Sequence, residues 1–309
     1  MGEKVLMKGN EAIAEAAIRA GCRLYFGYPI TPQTEIAHYM AKKMPLIGGT
    51  FLQAESEVAA INMVYGSAAT GARVMTSSSS PGISLKQEGI SYIAGAELPA
   101  VIVNIVRCGP GLGGILPAQC DYFQAVKGGG HGDYKMVVLS PSSVQELYEL
   151  TVEAFNIADR YRILTMIMGD GILGQMMEPV EFRDEERIEK PKKDWAVTGT
   201  NLERDHNVIT SIYIEPEVLE QLNLKLQKKY EEIRKNEVRY QAVNCEDAQI
   251  IVAAHGTVSR IIQNVIKMAG QEGIKVGLIR PVTLWPFPEE PFIKYAETAE
   301  AFLTVELSA

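Results

Sequence analysis

FLQAESEVAAINMVYGSAATG, residues 51–71, is the segment that decides how the first half of this chain folds. Its apolar start predicts a β-strand, and the small and apolar residues after Ser56 recur at the spacing of a buried α-helix, which Gly71 would end. Two carboxylates, Glu55 and Glu57, stand at the start of this otherwise apolar helix. Acidic side chains in a first helical turn stabilise the helix dipole by about 0.3–1 kcal/mol, so a purely structural role stays open at this point.

The preceding residues repeat the alternation of helix and short strand. A helix capped by Asn10 and ended by Gly21 is predicted, followed by a strand in LYFGYP, residues 24–29. The next helix is predicted to start at Pro32, because proline is favoured in a first helical turn. Thr31 lies between two prolines that fix the backbone on both sides of its hydroxyl, which favours a binding role. An ordinary strand-to-helix loop can contain prolines at the same positions, so this alternative stays open.

Two further strands are predicted to end beside this region. After the strand at residues 73–76, the serines at 77–80 and Pro81 begin a helix whose free N–H groups could bind an anion or a polar ligand, with a serine-rich turn as the alternative. PAVIVNIVR, residues 99–107, is a continuous apolar run typical of a parallel strand buried on both faces. Ligands bind outside the carboxyl ends of such strands, so Arg107 is a candidate clamp for a carboxylate, unless it caps a surface loop.

Two glycine clusters could belong to a functional site, and for each of them an interpretation without a functional role is also open. CGPGLGG, residues 108–114, contains a GxGxxG, but Pro110 and the long loop after it break the strand-turn-helix context that a dinucleotide site requires. KGGGHGDY, residues 127–134, places His131 and Asp133 in a loop. His131 would either shuttle protons near a substrate or be incidental.

Composition argues against several functions. Acidic residues outnumber basic ones, 38 to 30, for a net charge of −8, and no block of Lys and Arg indicates nucleic-acid binding. No apolar run reaches the roughly 18 residues of a membrane span, and the first residues run into an amphipathic helix rather than a signal peptide, so a cytoplasmic protein is expected. Neither a zinc site nor an iron–sulfur cluster is predicted, because the cysteines are far apart without a CxxC: Cys22, Cys108, Cys120 and Cys245.

The second half of the chain predicts a second domain. A chain of 309 residues is long enough for two, and the charge-rich segment 182–193 is the best boundary. One amphipathic helix, docked on its own chain or on a partner, is predicted from apolar residues that recur every three or four positions: Leu219, Leu222, Leu226, Tyr230 and Ile233. From residue 249 a β-α-β pattern returns, and because it stops on a strand at Ala309 the C-terminal sheet is interpreted as truncated.

Five motifs in order resemble the alpha subunit of 2-oxoacid:ferredoxin oxidoreductases, and the resemblance covers nearly the whole chain. They are YPITP, the helix in which Glu57 precedes Gly66 by nine positions, Arg107 with CGPGLGG, KGGGHGDY, and IRPVTLWPFP. The 2-oxoisovalerate (branched-chain) type is the most similar, because there the arginine is followed by a GPG-rich loop and a QxDYFQ segment, which stands here at residues 119–124.

The resemblance implies an α/β fold with a particular domain order. Residues 1–185 would form a thiamine diphosphate-binding domain of the pyrimidine type, a parallel sheet with helices on both faces. Residues 186–247 would be a linker that contains the amphipathic helix. Residues 248–309 would form a smaller, incomplete α/β domain similar to the C-terminal domain of transketolase.

The resemblance also implies roles for individual residues. Glu57 would hydrogen-bond N1′ of the cofactor's aminopyrimidine and so act in catalysis. Thr31 would contact the substrate or the reactive carbon of the cofactor, and Arg107 would pair with the carboxylate of the 2-oxoacid. Further contacts to the cofactor would come from Tyr28, Pro29 and Ser80.

No metal ligand is predicted in this chain. Thiamine enzymes bind Mg²⁺-diphosphate with a GDG followed some distance on by an asparagine, whose oxygens suit a hard cation. Here GDG occurs at residues 169–171, but only Asn201 lies at the edge of the matching window, so a turn is predicted there instead.

The implied activity is the oxidative decarboxylation of a 2-oxoacid, favoured as 2-oxoisovalerate, with coenzyme A to acyl-CoA, CO₂ and reduced ferredoxin. Thiamine diphosphate and Mg²⁺ would be shared with a beta subunit that carries the diphosphate motif. Iron–sulfur clusters would lie in partners only: a ferredoxin-like subunit, beside a gamma subunit, with external ferredoxin as acceptor. The alternatives are another thiamine enzyme subunit, of the transketolase or 2-oxoacid dehydrogenase beta type, and a non-catalytic scaffold.

Overall fold

The computed structural model describes residues 4–182, 189 and 191–308. Its strands are β1 (Lys4–Lys8), β2 (Leu24–Gly27), β3 (Thr50–Gln53), β4 (Val74–Ser78), β5 (Ala100–Val106), β6 (Val137–Leu139), β7 (Leu164–Asp170), β8 (Met177–Glu181), β9 (Tyr240–Val243), β10 (Ile250–Ala253), β11 (Val276–Pro281), β12 (Thr283–Trp285) and β13 (Ala301–Thr304). Its α-helices are α1 (Gly9–Arg19), α2 (Thr34–Lys43), α3 (Glu57–Ala69), α4 (Pro81–Gly95), α5 (Tyr122–Lys127), α6 (Val144–Tyr161), α7 (Gly171–Gln175), α8 (Pro216–Asn236), α9 (Gly256–Gln271) and α10 (Glu289–Ala296).

The larger sheet has seven strands in the order β12-β6-β7-β5-β4-β2-β3, and all pairs are parallel except β12 with β6. The apolar run that ends at Arg107 forms β5, whose seven residues are all buried at the centre of the sheet. Because parallel strands end at the same edge, the loops after β2, β4 and β5 lie side by side. The predicted α/β fold with a parallel sheet is confirmed.

The smaller sheet has four strands in the order β13-β10-β11-β9. β10, β11 and β13 are the predicted parallel strands, and β9 adds an antiparallel edge. Residues 283–285 do not belong to this sheet, although the sequence places them inside its β-α-β pattern. They form β12 and cross into the larger sheet, because Ser140 N donates to Val282 O at 2.8 Å and Trp285 packs on Tyr230 of α8 with ring centroids 5.7 Å apart.

Two local predictions were wrong in detail. Asn10 is not the cap of α1, which begins at Gly9; its buried amide donates instead to Pro32 O and Glu35 Oε2, both at 2.8 Å. The GDG at 169–171 is not a turn, because its first two residues end β7 and its last begins α7. Asp170 caps that helix, its Oδ1 accepting from the N–H groups of Ile172 and Leu173 at 2.8 and 3.1 Å.

The amphipathic helix is present as α8 and docks on its own chain. Leu226, Tyr230 and Ile233 are buried in the core of the larger sheet, whereas Leu219 is exposed. The predicted boundary at 182–193 falls mostly on residues outside the described ranges. Within the described ranges, no helix combines the length and the apolar character needed to cross a membrane.

Candidate active site

The candidate site lies at the carboxyl ends of β2, β4 and β5, where three sequence-predicted residues meet. Arg107 follows β5 and donates from Nη1 to the backbone oxygen of Thr31, after β2, at 3.0 Å. The Oγ of Ser80, after β4, lies 3.1 Å from both the N and the O of Arg107. The site is therefore built from loops that the parallel sheet holds side by side.

Glu57 is the first residue of α3, and its side chain is directed into the protein. The helix is capped by Ser56, whose Oγ accepts from Ala59 N at 3.1 Å. Glu57 is only 6% exposed, whereas Glu55, two residues earlier, is exposed. The structure therefore buries the carboxylate that the family resemblance selects and leaves the other one exposed.

Gly82, in the first turn of α4, makes room for the Glu57 carboxylate. A Cβ at this position would lie 2.6 Å from Oε1 of Glu57 and 2.0 Å from Oγ of Ser78, so only glycine fits. The hydroxyls of Ser78 and its neighbour Ser79 are buried and have no hydrogen-bond partner among the residues that the structure describes. Buried polar groups without partners are rare in proteins, which indicates that a polar ligand group belongs beside Glu57.

A hydroxyl chain beneath the site ties β2 to β4. Ser77 Oγ lies 2.6 Å from the hydroxyl of Tyr25 and donates to Oε1 of Gln33. Gln33 in turn donates from Nε2 to the backbone oxygen of Tyr28 at 3.3 Å. This chain fixes the segment that carries Tyr28, Pro29 and Thr31, all of which are exposed at the rim of the site. Burial raises the pKa of Tyr25 far above neutral, so its hydroxyl stays protonated.

Ser80 holds a strained backbone conformation, with φ 21° and ψ −78°. Its N–H donates to Oδ1 of Asn104 at 3.1 Å, and Nδ2 of Asn104 donates to Oδ2 of Asp121 at 2.9 Å. Strain of this kind persists only where surrounding contacts enforce it, and it clusters at functional sites. The Ser80 hydroxyl is occupied by the backbone of Arg107, so its first effect is to position that arginine.

The guanidinium of Arg107 is buried and held by two loops. Besides the bond from Nη1 to Thr31, Nη2 donates to Leu112 O at 2.9 Å, and Nε has no partner within the described ranges. A guanidinium has five N–H donors, so several stay available for a ligand carboxylate. An adjoining cleft of about 540 Å³ is lined by Ser80, Arg107, Cys108, Gly109, Cys120 and Asp121, among others.

Neither glycine cluster forms the alternative site weighed for it. No helix follows the CGPGLGG segment directly, since the chain runs on to Asp121 before α5 begins. His131 lies beside the second half of α4, where its backbone oxygen accepts from Ser91 Oγ at 2.7 Å and its ring meets Tyr92 edge to face. Ser91 is nine residues from Gly82, about 13 Å along the helix, so a proton shuttle at the Glu57 end of α4 is not supported.

Lys86 is a residue of the site that sequence reasoning missed. It has no solvent-exposed surface, and its Nζ donates to Thr76 Oγ1 at 2.6 Å. Burial lowers the pKa of Lys86 to about 7, and the negative charge of Glu57 acts in the opposite direction. The sequence shows only that Lys86 follows Gly82 by four residues, so both lie on one face of α4; that this face is buried depends on the packing of α3.

Family models match almost the whole chain. Residues 15–242 match the pyruvate flavodoxin/ferredoxin oxidoreductase, thiamine diphosphate-binding family, and residues 248–309 match pyruvate:ferredoxin oxidoreductase core domain II. The Glu57 carboxylate above Gly82 and the buried hydroxyls of Ser78 and Ser79 are polar groups that fit the binding of thiamine diphosphate.

Individual relatives point the same way. The chain is 53% identical, over 98% of its length and 86% of the relative's, to the ketoisovalerate oxidoreductase subunit VorB of Methanothermobacter marburgensis. It is 38% identical, over 99% of its length and 89% of the relative's, to the 2-oxoglutarate synthase subunit KorA of Archaeoglobus fulgidus.

The solved 2-oxoglutarate:ferredoxin oxidoreductase from Magnetococcus marinus, with 2-oxoglutarate, coenzyme A and succinyl-CoA bound, superposes with a TM-score of 0.88 at 26% identity. The match covers 99% of this chain and 58% of that one. An inactive split-gene transketolase, at 14% identity and a TM-score of 0.53, shares the fold alone.

Proposed function

Because this chain belongs to the thiamine diphosphate-binding pyruvate flavodoxin/ferredoxin oxidoreductase family, we propose that it is the alpha subunit of a 2-oxoisovalerate:ferredoxin oxidoreductase. The reaction would convert 2-oxoisovalerate and coenzyme A to acyl-CoA, CO₂ and reduced ferredoxin. The observation that carries the proposal is 53% identity to a ketoisovalerate oxidoreductase subunit over 98% of this chain. The buried Glu57, after β3, and Arg107, after β5, support it chemically, because both expected contacts lie at one edge of one parallel sheet.

Glu57 is the group that would act on the cofactor. When bound, thiamine diphosphate supplies a carbon nucleophile that attacks the keto carbon and accepts the electrons left by the departing CO₂. Glu57 would hold a proton between its carboxylate and N1′ of the pyrimidine ring. Further contacts to the cofactor would come from Tyr28, Pro29, Ser78 and Ser80.

Arg107 would bind and orient the substrate. Its guanidinium is held by the carbonyls of Thr31 and Leu112, so it is placed in advance to receive the carboxylate that every 2-oxoacid carries. Thr31 would contact the substrate or the reactive carbon of the cofactor. Preorganised donors of this kind cost no reorganisation when the substrate binds.

The division of labour with partners is part of the proposal. We infer that a beta subunit supplies Mg²⁺ and the diphosphate contacts, because Asp170 uses its carboxylate to cap α7. We infer that the iron–sulfur clusters lie in other subunits, a ferredoxin-like chain beside a gamma chain, with external ferredoxin as acceptor. Within the described part of the chain, His, Cys, Asp and Glu form no group of three that could hold a metal.

The domain division is also a proposal: residues 1–185 bind the pyrimidine, 186–247 link, and 248–309 form the smaller domain, although β9 of the linker pairs in the smaller sheet and β12 of the smaller domain pairs in the larger one. The two sheets are joined by more than the linker, since β12 crosses between them and Arg280 of β11 pairs with Glu146 of α6. The smaller domain would thus pack against the face of the larger sheet on which α6 lies.

The test is the complex purified from cells that express all subunits. We expect an iron–sulfur absorbance spectrum, bound thiamine diphosphate, and a higher kcat/KM for 2-oxoisovalerate than for pyruvate or 2-oxoglutarate. A higher kcat/KM for 2-oxoglutarate would contradict the substrate assignment, since a relative at 38% identity is a 2-oxoglutarate synthase subunit. A complex with thiamine but no iron–sulfur chromophore would indicate another thiamine enzyme, and one with neither would indicate a scaffold.

A further inference from the structure

Lys86 and Gly82 occupy the face of α4 that packs on α3. Gly82 contacts the Glu57 carboxylate directly, and Lys86 follows one turn later on the same face. The side chains of Lys86 and Glu57 are therefore both buried where α3 packs on α4. The two hydrogen bonds of the Lys86 ammonium go to Thr76 Oγ1, at 2.6 Å, and to Ser77 O, at 3.4 Å.

A buried ammonium needs an opposite charge nearby, because two neutral oxygen acceptors do not replace its hydration. Glu57, on α3, is the charged group whose field acts on it. From β2 and β4 the neighbouring polar groups are uncharged: Tyr25 reaches only Ser77, and its raised pKa keeps it neutral. Gln33, from the loop before α2, is likewise uncharged.

We propose that Lys86 is a positioning residue for Glu57, a buried ammonium that stabilises the Glu57 carboxylate across the α3–α4 interface and holds it toward the ligand. That the ligand atom is a pyrimidine nitrogen rests on the proposed function. The coupling between Lys86 and Glu57 is a property of this chain alone, so it can be tested without cofactor.

The charge of Lys86 depends on pH, and its attraction to Glu57 depends on pH in the same way. Burial sets the pKa of Lys86 at about 7, below the ordinary value for lysine, so the ammonium is present below neutral pH and is lost as pH rises through about 7. Above that pH, Glu57 would lose its counter-charge. Activity that depends on the pair would therefore fall on the alkaline side of neutrality.

The first test titrates Lys86 in the full chain without cofactor, by nitrogen NMR of labelled lysine side chains. Lys86→Arg identifies the signal by removing it. In Glu57→Gln, which keeps the shape of the side chain, the pKa of Lys86 should fall by about one unit or more, a tenfold change in proton affinity. Glu55→Gln, which alters an exposed carboxylate two residues away, is the matched control and should leave the titration unchanged. An identical titration in wild type and Glu57→Gln would overturn the proposal.

The second test uses the assembled complex. Lys86→Met should lower kcat by about tenfold or more and abolish the fall of activity above pH 7, while the KM for the 2-oxoacid, set by Arg107, changes little. Lys86→Arg should restore part of kcat, because it restores the charge. A Lys86→Met complex with the wild-type kcat and pH profile would refute the positioning role.

The two tests fail independently. If Lys86→Met does not fold, the Glu57→Gln titration still decides the question. If the complex oxidises no 2-oxoacid, the proposed function fails, while the titration continues to report on the charge pair.

Discussion

Glu57 and Glu55 differ by two positions, and only Glu57 is placed for the proposed catalytic role. Glu57 is buried above Gly82, whereas Glu55 faces solvent. Replacing Glu57 with Gln should preserve fold and assembly and lower kcat by about 10²–10⁴-fold, because an amide cannot share a proton with N1′. Steady-state oxidation of 2-oxoisovalerate checks this. Near-normal turnover in Glu57→Gln together with a loss in Glu55→Gln would reverse the assignment.

Arg107→Lys tests the substrate clamp. A lysine carries the same charge but cannot hold the carbonyls of Thr31 and Leu112 and a carboxylate at once. Loss of one charge-assisted hydrogen bond, about 1.5–3 kcal/mol, corresponds to roughly a 10–150-fold fall in kcat/KM. We expect a higher KM and a lower kcat, with the ranking of 2-oxoacids unchanged, because the carboxylate is common to all. A change of preference toward pyruvate would mean that Arg107 recognises the side chain of the 2-oxoacid rather than its carboxylate.

The sequence predicted the site residue that directly follows a strand, Arg107, and missed the two buried polar residues Lys86 and Asn104. Arg107 was predictable because it ends a buried apolar run, and strand ends are where α/β sheets bind ligands. Lys86 was not, since a lysine in a helix usually faces solvent and its burial depends on α3 packing against α4. Asn104 was hidden in the same way, as one polar residue in an apolar strand.

At the scale of elements, the local patterns predicted which strands and helices form, and long-range packing decided where they pair. The buried run of β5 and the amphipathic period of α8 follow from spacing alone. That β12 joins the larger sheet does not, because its partner β6 lies more than 130 residues earlier in the chain. The aromatic contact between Trp285 and Tyr230 that stabilises this crossover involves a third element, α8.

α8 is fastened to the larger domain by Glu97, a buried carboxylate that pairs with Lys225 and Lys229. Burial alone would raise the pKa of Glu97, but the hydrogen bonds from the two lysines outweigh it and lower the pKa. The stabilisation is therefore present above the pKa of an unfolded glutamate, about 4.3, and is lost as pH falls through the lower folded value.

Glu97→Gln should consequently loosen α8 at neutral pH. Hydrogen exchange of α8 amides is the measurement, and we expect faster exchange in the variant, with the wild type approaching it only in acid. The matched control is Glu220→Gln, which alters an exposed carboxylate of α8 itself. The α8 amides of this variant should exchange as they do in the wild type. Equal protection in Glu97→Gln and wild type would show that apolar packing alone holds α8.

At the scale of the whole molecule, the site opens onto an apolar surface. Four large apolar side chains around the loop after Arg107 are at least 61% exposed: Leu112, Ile115, Leu116 and Phe123. Contiguous exposed apolar residues usually mark a protein interface. The proposed beta subunit would cover this surface, which would bring its diphosphate contacts to the same strand ends that carry Glu57.

The last prediction follows from that geometry, since half of a cofactor site binds weakly. In the proposed function this chain offers Glu57 to the pyrimidine, but Oδ1 of Asp170 already accepts from two N–H groups of α7, and no group of three His, Cys, Asp or Glu side chains that could hold a metal lies in the described part of the chain. The isolated chain should therefore fold yet show no Mg²⁺-dependent binding of thiamine diphosphate by calorimetry, while the co-expressed complex binds it. Micromolar binding by the single chain, abolished by Asp170→Ala, would contradict this division and make Asp170 a metal ligand. Binding by the complex that survives Asp170→Ala would place the metal in the partner, as the fold of this chain leads us to expect.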